Sequence, residues 1–306
     1  MSRLLAIVGP TGIGKTEVAA ELARRLPAEI VAVDSIQVYR GMDIGTGKPP
    51  AWLRREIPHH GLDLAEPEEE FDVLRYAQAV KPALEKIRTS GRWTVLVGGC
   101  GLYLKILLDG LCQAPGADPV VRARLIAEGK SLGSPSLHRR LEGIDPESAG
   151  RIHPNDLRRI VRALEVYHLT GRPLTQWQKE TVPFLEELKD CSIVGLSCER
   201  DRLYERIQAR VDGWLSSGWV EEASSLFARP LSRTARGALG YQELFDHFQG
   251  QMDWETARFL IHRNTRHYAK RQWSWFRQDP RVRWVDVDGQ DPQAVATEIL
   301  TLSHAA

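Results

Sequence analysis

Gly9-Pro10-Thr11-Gly12-Ile13-Gly14-Lys15-Thr16 fits the pattern G-x-x-x-x-G-K-[ST]. A short apolar run, Leu4–Val8, precedes it. A segment of helical spacing follows, with Val18, Ala19, Leu22 and Leu26 on one side. A buried strand, a glycine loop and a helix in that order form a phosphate cradle. The glycines let successive backbone N–H groups turn inward, and the helix N-terminus adds positive potential. Lys15 is placed to reach a terminal phosphate, and the Thr16 hydroxyl suits Mg²⁺.

Outward from this loop, apolar runs at 30–33 and 94–97 read as further buried strands. Between them, 71–90 reads as a helix with Leu74, Ala77 and Leu84 on one face, stopped by Gly91. Alternating strands and helices imply an open parallel sheet covered on both faces. From about 112 to 190 the pattern changes to short, Arg-rich helical stretches broken at Ser134-Pro135, Asp145-Pro146, His153-Pro154 and Gly171-Arg172-Pro173. Strand character returns at 192–196 and 282–287, and 202–215, 220–227, 253–277 and 292–302 read as helices. The expected fold is therefore α/β, a P-loop parallel-sheet core with an inserted all-helical domain. The expected divisions are 1–112 and 190–306 for the core and 113–189 for the insertion.

The 306 residues are long enough for about two domains at roughly 150 residues each. The net charge of +1 hides an uneven spread. Residues 63–72 hold six acids and no Lys or Arg, whereas 258–283 hold eight Lys or Arg and one acid, Asp279. Such a basic segment can meet a phosphate backbone or simply be a solvated helix face. Cysteines at 100, 112, 191 and 198 show neither metal-site nor disulfide-framework spacing. No stretch approaches the roughly 20 apolar residues of a membrane span, and a cytoplasmic, reduced protein is expected.

A P-loop does not say which phosphate it holds. In an ordinary NTPase a later strand ends in an Asp that helps hold Mg²⁺. Here the strand at 94–97 runs into Gly98-Gly99-Cys100-Gly101. The acid stands elsewhere, at Asp34, 19 residues after Lys15, where it can act on an acceptor group. On these residues alone, a small-molecule or nucleoside kinase and a non-catalytic RNA-binding P-loop protein stay open.

The next stretch is more specific. Asp34-Ser35-Ile36-Gln37-Val38-Tyr39, Gly41-Met42-Asp43-Ile44-Gly45-Thr46 and Lys48-Pro49 closely resemble the signature of the bacterial-type tRNA dimethylallyltransferases, also called tRNA isopentenyltransferases. His59-His60, Gly98-Gly99, Ile152-His153-Pro154-Asn155-Asp156, Gly240-Tyr241-Gln242 and Ala269-Lys270-Arg271-Gln272 match in order. The resemblance runs from Gly9 to about Arg277.

It implies transfer of a dimethylallyl group from dimethylallyl diphosphate to N6 of the adenosine 3′ of the anticodon in tRNA. Mg²⁺ is the implied cofactor, with Thr16 as its ligand, and the P-loop holds the donor's diphosphate without spending ATP. By the same resemblance Asp34 is the general base and Arg210 an arginine on the diphosphate. Ser35, Ile36 and Gln37 meet the surroundings of the flipped adenosine. The implied tRNA contacts also include Arg122, Arg158, Arg159, Ile160, Val161, Arg162, Arg236, Gly240, Tyr241, Lys270, Arg271, Gln272 and Arg277. Arg263, Arg266, Lys270 and Arg277 form a stripe at helical spacing, while Trp273 and Trp275 read as core. A monomer is expected.

Two positions depart from the family pattern. Cys100 stands where the family usually has Thr, a hydroxyl near the donor's bridging oxygen or the base. A thiol is larger and a weaker hydrogen-bond donor. Gly47 stands where Ala is common. His59 and His60 read as locally structural, since no third ligand is spaced to join them.

Overall fold

A computed structural model describes residues 3–110, 112–185, 188 and 190–304. The chain divides into two compact units, Met1–Leu108 with Glu186–Ala306, and Asp109–Leu185.

The first unit has the α/β P-loop fold. Its six strands are β1 (Leu4–Val8), β2 (Ala28–Ala32), β3 (His59–His60), β4 (Trp93–Gly98), β5 (Ser192–Ser197) and β6 (Val282–Asp286). All pair in parallel, in the order β3-β2-β4-β1-β5-β6. β1 is buried along its whole length because it has strands on both sides, and its continuous apolar run reflects that position. The order reverses beside β1, so the crevice at its C-terminal end is where an open α/β sheet takes its ligand.

Helix α1 (Lys15–Arg25) leaves that crevice and buries Val18, Ala19 and Leu22 against the sheet. α2 (Ala51–Glu56) is a single short helix before β3. α3 (Val73–Thr89) begins at Asp72, whose carboxylate accepts from the Leu74 and Arg75 N–H groups. α4 (Gly101–Asp109) follows β4 directly. The second strand lies at 28–32, two residues earlier than its apolar run suggests, because Glu29 is buried there by His60 and Arg92. β3, with only two residues, carries no readable alternation.

The second unit is built from α5 (Pro119–Leu132), α6 (Ser134–Ile144), α7 (Pro146–Arg151), α8 (Leu157–Thr170) and α9 (Leu174–Lys179). Its core gathers Leu125, Leu137, Leu141, Ile160 and Leu164. Asp145 ties α7 to α9, accepting from Ser148 N, Ser148 Oγ, Thr175 N and Thr175 Oγ1.

The remaining helices return to the first unit: α10 (Arg200–Ser216), α11 (Trp219–Phe227), α12 (Arg233–Arg236), α13 (Tyr241–Phe248), α14 (Trp254–Phe276) and α15 (Pro292–His304). None of the helices among the described residues is long and apolar enough to cross a membrane.

Candidate active site

A cavity of about 480 Å³ opens at the C-terminal end of β1. Thr11, Gly12, Gly14, Lys15 and Thr16 of the P-loop line it, together with Asp34, Gln37, Gly99, Arg210, Trp214, Tyr268 and Gln272. The loop, the end of β2, α10 and α14 thus converge on one space.

Lys15 folds back on its own loop. Its Nζ donates to the Pro10 carbonyl at 2.8 Å and to the Gly9 carbonyl at 3.0 Å. Enclosure lowers its pKa to about 7, and the positive charge of Arg210 adds to the effect. Arg210 is itself lowered, chiefly by burial, while Glu17 and Asp34 pull the other way. Its guanidinium stacks on the Trp214 ring at 4.5 Å. It does not spend itself on Asp212, which takes Arg258 at 2.8 Å and His262 at 3.1 Å instead. Gly47 makes room for it: a Cβ there would lie 2.1 Å from Arg210 Nη2.

Asp34 sits among these cations. Its Oδ1 accepts from Ile36 N at 2.8 Å and Gln37 N at 3.2 Å. Burial raises its pKa above the ordinary carboxylate range, against the pull of those N–H groups, Lys15 and Arg210. Cys100 is close enough for the Asp34 charge to act on it: burial, then Asp34, push its thiol up to about 11. It is a neutral thiol at ordinary pH. Tyr268 is raised by burial and then by Asp34 and Cys100, so its phenol stays protonated.

Several expected contacts have other partners. Gln272 is buried, its Oε1 accepting from Thr11 N at 2.8 Å and its Nε2 donating to the Gly99 carbonyl at 3.0 Å. Tyr241 is buried and its hydroxyl donates to Glu222. Ile160 and Val161 are core side chains of the second unit. In the same unit Arg122 and Arg162 both bind Glu165, at 2.6 and 2.9 Å, while Arg158 and Arg159 are exposed.

In α14 Arg263, Lys270 and Arg271 are exposed, as is Arg277 just after it, over the Trp273 ring at 4.7 Å. Arg266 is half-buried over Tyr204, and Arg236 lies 5.9 Å from the Phe245 ring centre. Trp275 is 40% exposed rather than core, because α14 turns that face outward. His60 reaches Glu29 at 2.7 Å and His59 Nδ1 lies 2.7 Å from the Ile57 carbonyl.

Tyr268, Trp214 and Trp219 line the cavity without any sequence motif announcing them. Only the i, i+4 spacing of Tyr268 and Gln272 could have linked the tyrosine to the site. Among the described residues no group of three or more His, Cys, Asp or Glu is assembled for a metal. The cavity offers the Thr16 hydroxyl, with Glu17 and Asp34 lining the same space. One hydroxyl suits Mg²⁺, which keeps several waters and takes phosphate oxygens for much of its shell.

Comparison with known proteins agrees with this geometry. The family described as IPP transferase matches residues 37–279, and that described as isopentenyl transferase matches 2–54. The chain is 45% identical over 287 residues to a tRNA dimethylallyltransferase of Geobacter sulfurreducens, covering 93% of this chain and 92% of that protein. It is 43% identical over 287 residues to that of Geobacillus kaustophilus, covering 93% and 90%. A crystal structure of the full-length tRNA isopentenylpyrophosphate transferase from Bacillus halodurans superposes with a TM-score of 0.73 at 38% identity, over 100% of this chain and 96% of that one. A eukaryotic dimethylallyltransferase solved acting on tRNA gives 0.79 at 26% identity, over 98% and 79%. The chain belongs to the IPP transferase family, the family of the tRNA dimethylallyltransferases.

Proposed function

We propose that this chain transfers a dimethylallyl group from dimethylallyl diphosphate to N6 of the adenosine 3′ of the anticodon in tRNA, forming N6-(dimethylallyl)adenosine. The observation that carries the reading is the place of Asp34. A half-buried carboxyl lines the same cavity as the P-loop, within reach of the charges of Lys15 and Arg210. It adjoins the phosphate cradle, where an acceptor would lie.

Adenine N6 is a weak nucleophile because its lone pair is delocalised into the ring. The allylic carbon compensates by bearing positive charge. Catalysis then needs a stabilised leaving group and a base. The C1–O bond of the donor breaks and its electron pair leaves on the diphosphate. The N6–C1 bond forms, and the N6 proton passes to the Asp34 carboxylate. The P-loop N–H groups of residues 12–16, Lys15 and Arg210 take up the charge of the departing diphosphate. The Thr16 hydroxyl would hold Mg²⁺, which would supply further neutralisation of that diphosphate.

The target base leaves its stack to reach this depth. Ser35, Ile36 and Gln37 surround it, and exposed Arg158, Arg159, Lys270, Arg271 and Arg277 are available to phosphates. Cys100 stands beside the base in place of the family's Thr. The enzyme works as a monomer on the tRNA of the cytoplasm.

The test is incubation with unmodified tRNA, Mg²⁺ and labelled dimethylallyl diphosphate. Label on the tRNA is expected. ATP turnover without transfer would point to a kinase, and RNA binding with neither to a binding protein. Asp34→Ala is expected to lower transfer by about 10²–10⁴-fold. Full-rate transfer by that variant would remove Asp34 from its role.

A further inference from the structure

Glu222 of α11 lies outside every motif of the site, yet it holds one wall of the cavity. Its Oε2 accepts from the Asp43 and Ile44 N–H groups, both at 2.8 Å. Its Oε1 accepts from Gly45 N at 3.2 Å and from the Tyr241 hydroxyl. Three consecutive amides thus converge on one carboxylate, a concave arrangement of backbone donors that favours an anion. The same helix supplies Trp219, packed so closely that a Cβ on Gly45 would lie 1.9 Å from its Nε1. Segment 43–45 is clasped from α11 by a carboxylate and an indole.

The clasp sets the two carbonyls that follow. Gln37 Nε2 donates to Thr46 O at 3.0 Å and to Gly47 O at 3.2 Å. Carbonyls only accept, so the NH₂ end of the amide must face them, and both its hydrogens are used. Oε1 is left without a hydrogen-bond donor among the described residues, and Gln37 lines the cavity beside Asp34. An exocyclic amine carries two hydrogens, one for Asp34 and one for such an acceptor. A carbonyl at the same position of a purine would set oxygen against oxygen.

We infer that Glu222 is a positioning residue for acceptor choice. By clasping 43–45 it holds the Thr46 and Gly47 carbonyls that turn Gln37 Oε1 toward the incoming base. The site then takes a purine bearing a 6-amine and refuses one bearing a 6-carbonyl. This rests on the RNA-acceptor reading above, which wild-type transfer of label tests by itself.

The experiment compares binding of two anticodon stem-loops, one with adenosine and one with inosine at the target position, to wild type, Glu222→Gln, Gln37→Ala and the double variant. An amide at 222 keeps the shape but cannot accept at both ends. Wild type is expected to favour the adenosine loop by about fivefold or more, the worth of one buried hydrogen bond. Each single variant should cut that ratio by about fivefold, to the part that Asp34 alone supplies, and Glu222→Gln should cost nothing further in the Gln37→Ala background. An undiminished preference in Gln37→Ala overturns the inference, even where Glu222→Gln proves too unstable to assay. So does an equal penalty from Glu222→Gln in both backgrounds, which a purely structural role would produce. A preference cut in this way, in an enzyme that still transfers label, supports it.

Discussion

Gln272 reaches across 261 residues of chain to hold Thr11: its Oε1 accepts the Thr11 N–H at 2.8 Å. The amide nitrogen of the same side chain donates to the Gly99 carbonyl, so α14 ties the P-loop to the end of β4.

A residue in this position is expected to act on an anion held by the loop before it acts on RNA. Gln272→Ala is expected to weaken diphosphate binding by about tenfold, the loss of a buried hydrogen-bond pair. The Kd for an anticodon stem-loop should move much less. Calorimetric titration with inorganic diphosphate, set against RNA binding, measures both. The reverse order would return Gln272 to direct tRNA contact.

Lys15 sets a pH dependence for the same grip. Its pKa of about 7 in the free protein lies below the ordinary lysine value of 10.5. A bound diphosphate favours the ammonium and raises that pKa. The Lys15 contribution to diphosphate affinity is therefore expected to be flat below pH 7 and to fall as pH rises above it, with about one proton taken up at this lysine per site at pH 8. Titrations in two buffers of different ionisation enthalpy read that proton directly. The stability effect follows from the same lowered pKa. Between pH 7 and 10.5 the unfolded chain binds more protons at this lysine. Its contribution to stability therefore rises with pH through that window, and the cost of enclosing the charge is fully present below it.

Cys100 is expected to limit the rate. It is a neutral thiol, pushed up to about 11 by burial and by the charge of Asp34. Cys100→Thr places a stronger hydrogen-bond donor near Asp34. Single-turnover transfer should speed up by about two- to tenfold, in keeping with one improved polar contact. An unchanged or lower rate would show that the thiol costs nothing.

The second unit has its own weak point. Glu165 is fully buried and accepts from Arg122, Arg162 and the Asp118 N–H. Glu165→Ala removes all three bonds, but both arginines are about a third exposed, at 35% and 32%, and can rehydrate. Destabilisation of about 1–3 kcal/mol is expected rather than the larger cost of a stranded buried charge. Urea unfolding followed by tryptophan fluorescence, with Trp177 in this unit, checks it.

Local rules made much of the fold readable. β1, the P-loop and α1 follow one another within 25 residues, and each is specified by its own neighbours in sequence. Asp34 was legible because the strand before it points at the loop. β3 was not, since two residues carry no period. Gln272 and Tyr241 matched family positions, but their partners, Thr11 and Glu222, lie far off in sequence and only packing brings them together. Ile160 and Val161, both buried, show that a contiguous motif on a helix includes inward positions as well as outward ones. Trp275 shows the converse, an aromatic residue that helical spacing assigns to the core and the turn of α14 leaves exposed.

The strand order also has a meaning for synthesis. β1 emerges first from the ribosome but lies between β4 and β5, and β5 ends at Ser197. Until that strand docks, the first strand keeps an unpaired edge, and the loop at its tip lacks Arg210 and Gln272. A nascent chain carrying the full P-loop motif therefore has no finished grip for a diphosphate. The complete cradle of loop, Arg210 and Gln272 is assembled only once α10 and α14 have docked.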